Sequence, residues 1–145
     1  MSRLEATVEI SKTTNEVFAY VIEPMHTPEW MHAVLASSSL SSDPMEVGTT
    51  FHHRWQLIDR LLETTYEVLE CDPNRTFTYQ SIVSLVRRLV CLRLEPTAGG
   101  ARLTCYIEQD LMSPLFQQDA VLATYTAQRC LESDLLSLKR VLERH

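Results

Sequence analysis

One uninterrupted stretch, Ser113 to His145, constrains the fold more than any other part of the chain. A serine side chain can cap the orphan amides of a helix, a proline tolerates the first helical position, and after Pro114 neither Gly nor Pro occurs. About thirty residues at 1.5 Å each make a rod of roughly 45 Å, longer than a small domain is wide, so the rod must lie across something. At 100° per residue, Ala120, Thr124, Ala127, Leu131, Leu135, Leu138 and Leu142 share one face, and Thr126, Arg129, Ser133, Arg140 and Arg144 lie opposite. The C-terminal half of the apolar face carries leucines that would seal a core. Its N-terminal half offers Ala120, Ala123, Thr124 and Ala127, which leave volume unfilled. Two readings stand: a pocket under the first half of the helix, or a helix that approaches its support closely.

The rest of the chain describes that support. Arg3 to Ile10 alternates, with Leu4, Ala6, Val8 and Ile10 against Glu5, Thr7 and Glu9, which is the period of a half-buried strand. Ser11 to Thr14 supplies capping residues for a short helix through Val17, Phe18, Val21 and Ile22, which Pro24 ends. A bend, Pro24 to Trp30, leads into a second short helix that would begin at Pro28 and carry Trp30, Met31 and Val34. Beyond it the pattern is one of strands and turns. Phe51, His53, Trp55 and Leu57 alternate with Thr50, His52, Arg54 and Gln56, and a connection at Ile58 to Arg60 leads to a strand with Leu62, Thr64, Tyr66 and Val68 in phase. After the turn Cys71 to Arg75 come strands at Thr76 to Ile82 and Val86 to Glu95, the turn Pro96 to Gly100, and a strand from Arg102 to Leu111. Connections this short force antiparallel pairing, and a sheet with one apolar face needs a cover, which the terminal rod supplies. The fold class is therefore α+β in the order β-α-α-β-β-β-β-β-β-α, a curved antiparallel sheet gripping a long C-terminal helix, with one domain over residues 1–145.

Composition closes off other classes. At 145 residues with 45% hydrophobic and 22% charged side chains, the chain is ordinary globular material, long enough to bury a core and a cavity. A formal charge of −6 opposes binding to phosphate backbones, so no nucleic-acid partner is expected. No apolar run approaches the length of a membrane span and the N-terminus lacks a signal-peptide core, which points to a cytoplasmic protein without an integral membrane segment. Cys71, Cys91, Cys105 and Cys130 stand singly and read as small buried hydrophobes, and the histidines lack ligand spacing, so neither metal nor cofactor is expected.

The ordered set VEISKTTNEVFAYV, PMHTPEW, VGTTF, TTYEVLECDPNRTFTY and GGARLTCYIEQDL resembles the START-like (SRPBCC) helix-grip superfamily, and within it the branch of polyketide cyclases/dehydrases and lipid-transport proteins. The resemblance runs over nearly the whole chain. Members commonly carry an Asp before the first proline of the bend and a Gly in the hairpin after the VGT strand, where this chain has Glu23 and Asp59. These departures affect turns only. The resemblance implies a deep apolar cavity between sheet and helix that holds a lipid, sterol, polyketide or aromatic molecule, and it carries no shared catalytic motif.

On the inward strand phase, Phe51, His53, Trp55, Tyr66, Val68, Phe77, Tyr79, Leu92, Leu103 and Ile107 would line such a cavity, with Thr64 and Gln109 adding polar groups. The bend would contribute Trp30, with Met25 and Met31 at an entrance where His26 and Glu29 face solvent. The helix would add Phe116, Ala120, Thr124, Ala127 and Leu131, with Ala120, Thr124 and Ala127 facing His53, Trp55 and Tyr66. A mostly apolar pocket with a few orienting polar groups suits binding of a hydrophobic small molecule. His53, which titrates near neutral pH, with Tyr66 or Tyr79 as hydrogen-bond donor, would alternatively serve a cyclase or dehydratase; the alternative for His53 is a satisfied core histidine.

Overall fold

In the computed structural model, which describes residues 2–40, 44–57, 59–110 and 120–144 and Ala120 by its backbone alone, the strands are β1 (Ser2–Ile10), β2 (Val34–Ser39), β3 (Thr50–Leu57), β4 (Arg60–Asp72), β5 (Thr76–Val83), β6 (Arg88–Thr97) and β7 (Gly100–Gln109). The helices are α1 (Thr14–Val21), α2 (Thr27–Trp30) and α3 (Ala120–Glu143), with a 3-10 turn at Pro24–His26 before α2. All seven strands join one antiparallel sheet in the order β1-β7-β6-β5-β4-β3-β2. Apart from β1, which pairs with the last strand, each strand pairs with its neighbours in sequence. This is the helix-grip arrangement expected from the alternation of apolar residues.

Inward positions carry the core. Leu4, Val8, Phe51, Trp55, Leu62, Val68, Phe77, Val90, Leu92, Leu94 and Leu103 are buried, and from α3 so are Ala123, Ala127, Leu131, Leu135, Leu138 and Leu142. The residues assigned to the opposite side of the helix, Thr126, Arg129, Ser133, Arg140 and Arg144, are exposed. Ser113, Pro114, Leu115 and Phe116 lie outside the described residues, as does Leu111.

One flank of α3 is stitched to the open edge of β1. Gln128 Nε2 donates to the Glu5 carbonyl at 2.9 Å, Lys139 Nζ donates to the Glu9 carbonyl at 2.8 Å, and Glu143 Oε2 accepts from the Ser11 amide at 2.8 Å. An edge strand exposes unpaired backbone groups, and here helix side chains take them up. The stitching sets the position of α3 over the sheet.

Local rules account for α1. Thr13 Oγ1 accepts from the Glu16 amide while the Glu16 carboxylate accepts from the Thr13 amide, a reciprocal cap that satisfies two orphan donors. The 3-10 turn at Pro24–His26 follows Glu23, whose side chain makes no capping hydrogen bond.

Two expectations change. Val34 does not continue the second helix: α2 stops at Trp30, Met31 is extended at φ −92°, ψ 101°, and Val34 starts β2 opposite Trp55. Trp30, Met31 and Val34 have helical spacing, but the same three fit a single turn followed by an inward strand residue, and the β-branched valine prefers the strand. The cysteines are not uniformly buried either: all four are free thiols, Cys105 is buried, Cys71 and Cys91 are half-buried, and Cys130 is exposed on the polar flank of α3. Among the described residues no helix is long and apolar enough to cross a membrane.

Candidate functional site

Among the described residues, two spaces border the inward face of the sheet. The first, about 10 Å³, is bounded by Val21, Pro24 and Thr27 from the helical segment, Trp30 and Met31 from the bend, and Phe51, His53, Phe77, Tyr79 and Leu92 from the strands. It has room for about one water molecule. The second, about 90 Å³, runs along the middle of α3 and opens at its flank, between Trp55, Arg88, Ile107 and Gln109 of the sheet and Ala127, Leu131, Asp134 and the exposed Thr126 and Cys130 of the helix. Met31 borders both.

Around the first chamber the side chains form an aromatic cluster. Phe51, Tyr66 and Tyr79 surround His53, with ring centroids 5.3, 5.0 and 6.3 Å from it. His53 is 1% exposed and neither ring nitrogen has a hydrogen-bond partner. Burial, reinforced by the positive Arg88 and by His52, pushes its pKa down to about 3. His53 is therefore a neutral imidazole at neutral pH, able to offer one donor and one acceptor but too weakly basic to take up a proton there. Trp30 borders the same chamber, and its buried Nε1 is equally without a partner. Burial raises the Tyr79 hydroxyl well above the ordinary tyrosine range, so it too stays neutral.

The second chamber has a polar pole that sequence reasoning missed. The Arg88 guanidinium lies 4.7 Å from the centre of the Trp55 ring, and its Nη1 donates to Tyr66 Oη at 3.3 Å. Burial works against its charge, but Tyr66 and Tyr79 outweigh that and hold its pKa above the usual arginine value. Trp55 Nε1 donates to Thr64 Oγ1 at 2.8 Å, and Thr64 bonds Ser84 Oγ at 2.8 Å, which fixes the indole. Gln109 is 2% exposed, and its Oε1 has no partner; nor has Arg88 Nε. Arg88 stood in phase with Val86, Val90 and Leu92, and that phase was the signal that could have found it.

Asp134 closes the helix side of this chamber. Burial lifts its pKa to about 6, against the pull of the His32 amide, the His32 ring and Arg88. Its Oδ1 accepts from the His32 amide at 3.1 Å and lies 3.2 Å from His32 Nδ1, while His32 Nε2 lies 2.9 Å from Ser137 Oγ. The order of contacts is that of a nucleophile, base and orienting acid. Ser137, however, is buried in the middle of α3, where the amides around it are consumed by the helix and leave no donors for an oxyanion. The three residues fasten the segment after α2 to α3.

The residues expected to line one cavity are thus divided. Trp30, Phe51, His53, Phe77, Tyr79 and Leu92 border the first chamber; Trp55, Ile107, Ala127 and Leu131 border the second. Tyr66, Val68 and Leu103 are wholly buried and border neither. Thr124 points its hydroxyl to Ser2 Oγ at 3.0 Å on β1, because the helix flank there meets the strand edge and not the sheet centre. Ala127 and Trp55 both border the second chamber, but no described residue of α3 borders the chamber of His53. Phe116 and the side chain of Ala120 lie outside the described residues. At the bend, Met31 is buried whereas Met25 is 77% exposed, and His26 is half-buried against Tyr20, stacked at 4.1 Å. Among the described residues no three His, Cys, Asp or Glu side chains gather as a metal site.

Comparison with known proteins agrees with this architecture. The model of the family described as polyketide cyclase / dehydrase and lipid transport matches residues 1–143. A solved protein from Thermus thermophilus shares the fold at a TM-score of 0.84 and 15% identity, covering 98% of this chain and 97% of its own. A START superfamily protein from Mycobacterium smegmatis does so at 0.80 and 13% identity over 99% of both chains. A protein from Mesorhizobium loti follows at 0.71 and 20% identity, with 98% and 97% covered. No curated protein matches the sequence.

Proposed function

Given that the chain belongs to the polyketide cyclase/dehydrase and lipid transport family, we propose that it binds a hydrophobic small molecule, of lipid, polyketide or aromatic type, between the sheet and α3. The observation that carries this reading is a set of buried polar atoms without partners in an otherwise apolar interior: both nitrogens of His53, Trp30 Nε1, Arg88 Nε and Gln109 Oε1. Buried polar groups are nearly always satisfied, and leaving one unmade costs about 1–3 kcal/mol. A ligand with matching polar groups recovers that energy while its apolar body fills the chambers. Carriage fits this better than proton-transfer catalysis, because a histidine held at a pKa of about 3 is a poor base and a negligible acid at neutral pH.

Native mass spectrometry of protein purified gently from its own host should show a bound apolar molecule; its absence would count against carriage. With that molecule in hand, Ala127→Leu should weaken its binding at least tenfold, because the added carbons occupy the space it borders with Trp55. The folded state should lose less than about 2 kcal/mol, as expected when extra volume enters a space already present. A loss well above that, with binding unaffected, would instead mean that Ala127 serves close packing.

A further inference from the structure

Arg88 and Gln109 are direct cross-strand partners on β6 and β7, and both side chains point into the second chamber. Side chains opposed in this way start only about 5 Å apart, so one ligand group can touch both. Each brings one unmatched atom of opposite kind: Arg88 Nε–H is a donor without an acceptor, and Gln109 Oε1 is an acceptor without a donor. Resting on the binding reading above, we propose that this pair anchors a compact apolar carboxylic acid bearing a hydroxyl beside the carboxylate, the carboxylate on Arg88 and the hydroxyl on Gln109.

Charge argues for the acid. A cation enclosed in protein is costly unless an anion meets it, and charge-assisted hydrogen bonds to guanidinium are the strong ones. Among the described residues Arg88 makes no ion pair; its side-chain hydrogen bond goes to the Tyr66 hydroxyl. Asp134 borders the same chamber and feels the Arg88 charge, but no ion pair joins the two and its Oδ1 is engaged by His32. Size and walls argue for a compact body. About 90 Å³ is several times the roughly 10–15 Å³ that one water needs, and Trp55, Ile107, Ala127 and Leu131 make the walls apolar. The pair is part of the same lining as Ala127 and Leu131, so an acid that turns its apolar part toward those two can present its oxygens to Arg88 and Gln109.

Salicylate, benzoate and methyl salicylate test this by calorimetry and by quenching of the two tryptophans. Salicylate should bind at least tenfold tighter than its methyl ester, since the ester removes the charge that meets Arg88. Arg88→Met should abolish that difference by weakening salicylate, and Gln109→Leu should abolish the preference for salicylate over benzoate. An ester that binds as tightly as the acid to the wild type overturns the inference, whether or not the variants fold, and leaves the binding reading intact. Benzoate equal to salicylate overturns the hydroxyl assignment. If none of the three binds while a co-purified apolar molecule is found, the inference alone falls; if none binds and nothing co-purifies, the binding reading falls with it.

Discussion

Lowering the pH from 7 toward 4 is expected to destabilise the wild-type protein by several kcal/mol more than the variant His53→Leu, at about 1.4 kcal/mol for each pKa unit of difference between folded and unfolded states. The unfolded chain takes up a proton on His53 once the pH falls below its ordinary value of 6.5, whereas the folded chain, where burial and Arg88 oppose the charge, does so only near 3. The contribution is therefore fully present above 6.5 and is lost as the pH falls through that window. Asp134 acts in the opposite sense. Its folded pKa of about 6 against an ordinary 3.8 means that the folded state keeps a proton the unfolded state has lost, so its contribution is present below 3.8 and disappears as the pH rises to 6. The displacement of His53, from 6.5 to about 3, is the larger of the two, and it decides the net slope of this pair of groups. Guanidinium titrations of wild type, His53→Leu and Asp134→Asn between pH 7.5 and 4 separate them: the leucine variant should flatten the fall toward acid and the asparagine variant should steepen it. Wild-type and His53→Leu curves that run parallel would sink the argument. At pH 7 the leucine variant should be about as stable as wild type, because two unmatched buried nitrogens leave together with the ring.

The sheet was legible because burial on one face imposes a period of two, and β3 and β4 obey it residue by residue from Phe51 to Trp55 and from Leu62 to Val68. The reciprocal cap at Thr13 and Glu16 was legible for the same reason: it depends on a local spacing. Depth along a strand leaves no such mark. Val68, Phe77 and Leu103 share the inward phase equally, yet only Phe77 borders a chamber, since curvature and the angle of α3 decide which inward residues meet space. The small residues of α3 had two meanings in sequence, and the structure uses both: Ala127 borders space, whereas Thr124 serves the joint with β1. Arg88 was hidden by its charge, which by itself reads as exposed. An arginine can bury its stem and stack its guanidinium on an indole, and the phase of the strand outranks the side chain's preference for water. Its pairing with Gln109 depends on the register set by one hairpin.

That hairpin is the place where a single methyl group is expected to do most damage. Gly100→Ala should cost about 3 kcal/mol or more, against less than about 1 for Gly99→Ala next to it. Gly100 opens β7 at φ +149°, and a Cβ there would collide with the Ile10 carbonyl oxygen and stand 2.8 Å from the Lys12 amide nitrogen. Both obstacles are backbone, at the end of β1 and just beyond it, so nothing can swing aside. Gly99 meets nothing within 4 Å. The consequence reaches the binding residues through register. Thr97 pairs with Gly100, and nine residues further along each strand Arg88 pairs with Gln109. If the chain relieves the clash by shifting β7 by one residue, inward and outward positions exchange and Gln109 leaves the chamber. If it instead pushes β1 away, the edge to which Gln128, Lys139 and Glu143 fasten α3 moves with it. Either route should weaken any ligand held between Arg88 and Ala127 as well as lowering stability. Chemical denaturation of the two alanine variants is the measurement, and a Gly100→Ala protein as stable as Gly99→Ala would show that β1 and β7 can part at this corner without cost.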